Sequence, residues 1–180
     1  MRGLVLTSLK QFVTTTLGEP AWTQLLADAG LEGKLYLVSD TYPDEDVVGL
    51  VTAASTRTGI PAPDLVRKFG EFLVPGLVHT YRAFIKPSWR TLDFIAEVED
   101  HIHKAVRLRE PEAAPPRLRA TRTTPTQVVV HYDSPRRLCP LAEGIVAGVA
   151  AHYGERVNIT QTSCMVRGDP ACVLVVDLVA

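Results

Sequence analysis

At 180 residues the chain is long enough for one domain with a real core, since a domain near that size buries roughly 70% of the surface its unfolded chain exposes. It is 46% hydrophobic and 22% charged with a formal net charge of -1, which excludes a broad basic footprint and so argues against a nucleic-acid partner. No run of about eighteen or more apolar residues and no ordered signal-peptide pattern occurs, and an odd count of 3 cysteines does not suit a secreted disulfide framework; the expectation is a cytoplasmic protein with no membrane partner.

Leu4, Val5, Leu9, Phe12, Val13 and Leu17 recur at helical spacing and stop at Gly18, which predicts a first helix closed by a left-handed glycine. Pro20 opens a second, short helix through Leu25, Leu26 and Ala29. Residues 44–58 begin with Asp44, Glu45 and Asp46 and carry Val47, Val48, Leu50, Val51 and Ala54, a third helix with its acidic residues at the end the helix dipole favours. Ala62-Pro63-Asp64 starts a long helix through Phe69, Phe72, Leu73, Leu77 and Val78, where Pro75 is expected to kink or interrupt it because a backbone donor is missing. A further helix is predicted over about 91–108, between Pro87 and Pro111. After Pro115-Pro116 the pattern changes. Residues 118–121 and 127–132 are rich in β-branched side chains around a Thr-Thr-Pro-Thr turn, which predicts a hairpin. Residues 138–153 are helical up to Gly154, and strands follow at 157–162 and 171–179 around Arg167-Gly168-Asp169-Pro170. The expected fold class is α+β in a single domain over 1–180, with a helical half at about 1–110 and an α+β half at about 115–180.

Tyr132-Asp133-Ser134-Pro135-Arg136 ends the hairpin. On a strand, alternation puts Tyr132, Ser134 and Arg136 on one face and turns Asp133, Pro135 and Arg137 to the other. Two hydroxyls beside a guanidinium fork suit a carboxylate or phosphate guest, because charge-assisted bidentate pairing is where arginine excels. Five histidines are candidate metal ligands. His101 and His103 share the 91–108 helix but lie about 200° apart around it, so at most one faces a given pocket, and periodicity does not choose between them.

The segment from His103 through Pro115, Pro116 and Arg117, followed by Tyr132-x-Ser134-x-Arg136, resembles the H-NOX family, haem domains that bind nitric oxide or oxygen and include the sensor domain of soluble guanylate cyclase. A histidine on a helix, a proline-rich exit before a strand and the Tyr-x-Ser-x-Arg clamp come in the family's order, and the opening Met1-Arg2-Gly3 before an apolar helix is similar too. The resemblance implies the H-NOX fold, an N-terminal helical subdomain packed on a C-terminal antiparallel sheet with helices. It implies a non-covalent haem b with His103 as the proximal iron ligand, His101 being the alternative. Tyr132, Ser134 and Arg136 would hold the propionates, and Pro116 would press on the porphyrin. The chain has no Cys-x-x-Cys-His string, in keeping with a haem held without thioether bonds.

Oxygen-binding members of the family carry a distal tyrosine shortly after the clamp. Here Leu138-Cys139-Pro140-Leu141-Ala142 offers none; Leu141 takes that place, with Leu73, Leu77, Val5 and Leu9 as the other distal positions, all apolar. Iron-bound dioxygen carries negative charge and needs a donor, whereas nitric oxide binds ferrous haem without one. The resemblance therefore implies a stand-alone sensor of nitric oxide and carbon monoxide that excludes oxygen. It would signal, through movement of the proximal helix, to a separate partner such as a histidine kinase or a cyclic-dinucleotide enzyme. No nucleophile–base or carboxylate pair at catalytic spacing marks an enzyme.

Cys139, Cys164 and Cys172 form a second constellation, the last two flanking a turn. Three thiolates supply three of the four ligands of tetrahedral zinc. Some H-NOX members carry a zinc or redox-active thiol site here with a histidine just before the turn, where this chain has Gln161. Three readings stay open: zinc completed by water or His152, a thiol switch, or three buried inert cysteines. The Cys-Met-x-Arg-Gly-Asp-x-x-Cys turn is also similar to that of vinyl-reductase-type domains, so a zinc or thiol redox sensor, or a small-ligand binding module, without haem is the alternative function.

Overall fold

The first three helices begin and end near the prolines and glycines that flank them in the sequence. In this computed structural model, which describes residues 1–109 and 114–179, α1 is Gly3–Leu17, α2 Glu19–Asp28, α3 Asp44–Thr58 and α4 Ala62–Tyr81. Pro20 sits in the first turn of α2, where its missing N–H has no intrahelical partner to lose. Gly59 closes α3 in the left-handed conformation, φ 68° and ψ 4°, with its N–H on the Ser55 carbonyl. Gly18 differs from the expectation. Its φ is 88° but its ψ is 161°, a glycine-only region that is not the left-handed stop, and it serves at once as the end of α1 and the N-cap of α2. Nor does Pro75 interrupt α4, which is one helix from Ala62 to Tyr81.

The chain divides into two units, Met1–Phe69 and Gly70–Ala180, so the boundary falls inside α4 rather than at the change from helices to strands. In the first unit, Leu6, Leu9 and Val13 of α1, Trp22, Leu25 and Leu26 of α2, and Val47 and Leu50 of α3 are buried, each worth about 1.5–3 kcal/mol of apolar burial. Gly3 lets α1 start hard against the following loop: a Cβ there would stand 1.8 Å from the Leu37 carbonyl oxygen. In the same unit the buried carboxylate of Asp46 is held by Lys34 at 2.6 Å and by the Tyr36 hydroxyl at 3.1 Å.

In the second unit the rest of α4 leads through a 3-10 turn, Arg82–Phe84, to α5, Thr91–Val98. A π turn, Glu99–His103, then runs directly into α6, Lys104–Arg109. The sequence predicts one uninterrupted helix over about 91–108; the structure widens it by one π turn that contains both histidines. Single π turns recur at functional sites. Pro111, expected to bound this helix, lies outside the described residues. β1 (Arg117–Thr124) and β2 (Gln127–Asp133) form the expected hairpin, α7 is Cys139–His152, and β3 (Arg156–Ser163) and β4 (Cys172–Val179) complete an antiparallel sheet of order β1-β2-β4-β3. Alternation turns Val128, Val130, Leu174 and Val176 inward, where Leu92 and Ile95 of α5 and Val146 of α7 cover them. The architecture is the α+β one expected. Among the described residues no helix is long and apolar enough to cross a membrane.

Candidate functional site

The segment from Ser134 to Arg137 is a turn, not the continued strand that alternation assumes. Tyr132 points inward from β2 and is buried, but the strand stops at Asp133. Beyond it the Arg137 N–H donates to the Ser134 carbonyl at 3.1 Å and the Arg136 N–H to Ser134 Oγ at 3.3 Å, so the serine hydroxyl shapes the turn that brings Arg136 round. Burial pushes the Tyr132 phenol up, against hydrogen bonds from Ser134 and the Leu138 backbone. Arg136 Nη1 donates to the Ala114 carbonyl at 2.6 Å, next to Pro115 and the half-buried Pro116 that precede β1. Arg137 is exposed as expected, but for a different reason: its φ is 51°, the left-handed region of a turn, and no strand carries it.

The two histidines of the π turn have different neighbours. The His101 ring meets Trp89 edge-on at 5.2 Å, and its Nδ1 lies 3.2 Å from the Glu97 carbonyl. His103 Nδ1 lies 3.1 Å from Glu99 Oε2. A carboxylate can only accept, so that nitrogen is the donor, and in the neutral imidazole the lone pair is then on Nε2. Glu99 also accepts from Arg107 and, at 3.2 Å, from the Leu118 N–H. Burial would raise Glu99, but His103, Arg107 and the Leu118 N–H outweigh it and hold the carboxyl at about 2. Leu118 in turn pairs with Tyr132 across the hairpin. A chain of direct contacts therefore runs from His103 through Glu99 and β1 to the clamp. The sequence reading does not single out Glu99, although its place four residues before His103 is the spacing at which helical side chains meet.

Leu141 lies in the first turn of α7, against α4. A Cβ on Gly70 would stand 2.6 Å from the Leu141 carbonyl oxygen, and one on Gly148 would stand 2.6 Å from Val74 Cγ2, so α4 and α7 touch through their glycines. Leu73, one turn beyond Gly70, is buried, while Leu77 and Leu141 are half-buried. In the first unit Val5 is half-buried and Leu9 buried; Leu9 also lines an apolar cavity of about 140 Å³ with Phe12, Trp22, Leu50 and Phe69.

The three sulfurs of Cys139, Cys164 and Cys172 lie within 4.8 Å of one another, all reduced and buried, with Cys139 and Cys164 3.6 Å apart. Gln161 reaches the Cys139 sulfur, whose thiol burial pushes up to about 12. His152 does not complete the set: it is the last residue of the helix that Cys139 begins, about 20 Å along the axis. Three thiols and a carboxamide leave a tetrahedral zinc site one good ligand short. The cluster packs on Tyr132 and Met165.

An imidazole with its lone pair on Nε2, leucines on facing helices, and a guanidinium with two hydroxyls for carboxylates make a donor set that suits haem. A family model described as Haem-NO-binding matches residues 2–161, and the chain belongs to that family, the H-NOX domains. The structure is similar to that of an H-NOX protein from S. oneidensis in the Fe(II)NO ligation state, at 27% identity and a TM-score of 0.93 over 100% of both chains. It is also similar to the NMR structure of the H-NOX domain from Shewanella oneidensis in the Fe(II)CO state, at 27% identity and a TM-score of 0.88 over 99% of each chain. The unliganded Fe(II) H-NOX protein from K. algicida, 19% identical, shares the fold with a TM-score of 0.90, covering 100% of this chain and 97% of that one. Two soluble guanylate cyclases of Caenorhabditis elegans, gcy-32 and gcy-34, are each 27% identical over 177 residues, 93% of this chain and 25% of theirs. The chain thus spans about a quarter of the length of these curated relatives. H-NOX domains are haem-based gas sensors and are not catalytic by themselves; the part of the cyclases matched here is their sensor.

Proposed function

We propose that this chain senses nitric oxide and carbon monoxide at a non-covalent ferrous haem b held by His103, and that it excludes oxygen. The observation that carries the reading is apolar, half-buried Leu141 in the first turn of α7, its main chain against Gly70 of α4, where an oxygen-binding relative would place a phenol. Bound haem supplies an iron that takes up these gases and whose bond to imidazole nitric oxide weakens. Tyr132, Ser134 and Arg136 would hold its carboxylates, and Pro116 would lie against the ring. Leu73, Leu77 and Leu141 would offer bound oxygen no hydrogen bond, so it would gain no stabilisation from them. Because the π turn with His103 is continuous with α5 and α6, strain at the imidazole passes into that helix. A ligand can bias such a switch only by its differential affinity for the two states, and a bond from His103 to iron would supply the difference. Residues 1–180 act as one sensor in this reading, and a signalling partner such as a histidine kinase or a cyclic-dinucleotide enzyme reads the helix.

The absorption spectrum of the reduced protein tests this. An intense haem band should shift with nitric oxide and with carbon monoxide, stay unchanged in air, disappear in His103→Ala and return with added imidazole. A stable oxygen complex in air overturns the gas assignment, and a His103→Ala protein with the parent spectrum overturns the ligand. Colourless protein after haem supplementation, with zinc by elemental analysis, would favour the thiol cluster as the functional centre.

A further inference from the structure

The geometry points to Glu99 as a positioning residue for the iron ligand: its carboxylate fixes the His103 imidazole as the Nδ1–H tautomer, presents Nε2 to the metal and makes that nitrogen a stronger donor. This inference rests on the proposal that His103 is the ligand. The contact itself is direct, 3.1 Å from Nδ1 to Oε2, and both residues belong to the π turn. Glu99 is not at liberty to swing away, since the Arg107 guanidinium and the Leu118 N–H hold the same carboxylate. Both side chains are largely withdrawn from water, at 18% and 23% exposure, where an imidazole–carboxylate contact counts for more than it does in solvent. His101 lacks this arrangement. Its Nδ1 faces a main-chain carbonyl as well as the Glu97 carboxylate, and its ring is 33% exposed.

Histidines that hold metals generally give their second N–H to a carboxylate or carbonyl, which sets the tautomer and raises the basicity of the ligating nitrogen. In a sensor whose signal depends on loosening that bond, the consequence is specific. Glu99 strengthens the bond and so raises the threshold at which the proximal helix is released. Arg107 shares the carboxylate's charge and moderates the effect.

Resonance Raman spectroscopy of the ferrous protein reads the iron–histidine stretch, and nitrogen-15 NMR of the haem-free protein reads the His103 tautomer. Glu99→Gln should lower the stretch, raise the haem midpoint potential, mix the two tautomers, and speed transfer of haem to apomyoglobin about tenfold. Arg107→Ala removes the carboxylate's other charged partner; it should lower the melting temperature yet leave the stretch at or above the parent's. A folded Glu99→Gln protein with the parent's stretch and tautomer overturns the proposal. Should that variant fail to fold, the parent decides, because an Nε2–H tautomer of His103 in the haem-free protein is incompatible with the role. The two readings fail separately: a haem band that survives His103→Ala removes the ligand, whereas a band lost in His103→Ala with an unmoved stretch in Glu99→Gln removes only Glu99.

Discussion

Gly70 lies in backbone contact with Leu141: a Cβ on the glycine would stand 2.6 Å from the Leu141 carbonyl oxygen and 2.9 Å from the Ile145 nitrogen. Alanine is the better helix former by about 1 kcal/mol, but the obstructing atoms are main chain and cannot rotate aside, and overpacking costs about 1–3 kcal/mol. Gly70→Ala should therefore destabilise the protein by up to about 2 kcal/mol on balance. Thermal unfolding checks this, and a melting temperature equal to the parent's would mean that α7 yields at no cost.

Leu141→Tyr places a phenol where the structure has a half-buried leucine beside α4. One hydrogen bond contributes about 1–1.5 kcal/mol net, close to a tenfold change in an equilibrium. The variant should bind oxygen up to about tenfold more tightly than the parent, read as a new absorption spectrum in air that carbon monoxide displaces.

Arg136 donates to the Ala114 carbonyl at 2.6 Å and stands at the clamp with Tyr132 and Ser134. A hydrogen bond to a charged group is worth about 1.5–3 kcal/mol, so Arg136→Ala should speed haem loss about tenfold to a hundredfold. Arg136→Lys keeps the charge without the planar fork and should fall between the two. Transfer of haem to apomyoglobin measures all three.

Glu155 follows α7 and accepts the backbone N–H of Thr91 at 3.1 Å and Arg90 Nε at 3.2 Å, capping the start of α5 from a distant part of the chain. Thr91, and after it Arg90, hold this carboxyl below the usual range against the effect of burial. With the folded value below the unfolded one of about 4.3, the contribution is complete above that pH and is lost as the pH falls through the folded value. Glu155→Gln should cost about 1 kcal/mol near neutral pH, and the gap to the parent should close as the pH falls below about 4. Urea unfolding at both pH values checks it; a gap that stays constant would show that the charge plays no part.

Much of the architecture was legible in the chain because its signals are local. Acidic residues at 44–46, Pro20 and Gly59 mark helix ends through backbone conformation and the helix dipole, and they do so whatever packs against them. Val128, Val130 and Tyr132 alternate because a strand must, and β2 follows them. The family's motif is local too, which is why the H-NOX family could be named from the order of its residues along the chain.

Tertiary structure decided the rest, because those features depend on atoms brought together from distant positions. Beyond Tyr132 the chain follows a turn built on the Ser134 hydroxyl and tied to Ala114 through Arg136, where strand alternation predicts a continued strand. His152 lost its place near the thiols to the length of α7, and Gly70 gained one because α7 happens to cross α4 there. His101 and His103, which periodicity does not tell apart, differ in their partners because both sit in a π turn and only His103 meets Glu99. That carboxylate is held from the other side by a strand that begins well after it in the chain. Local propensity specifies which segments are helix or strand; where two segments touch, packing and hydrogen bonding choose the partner of each side chain.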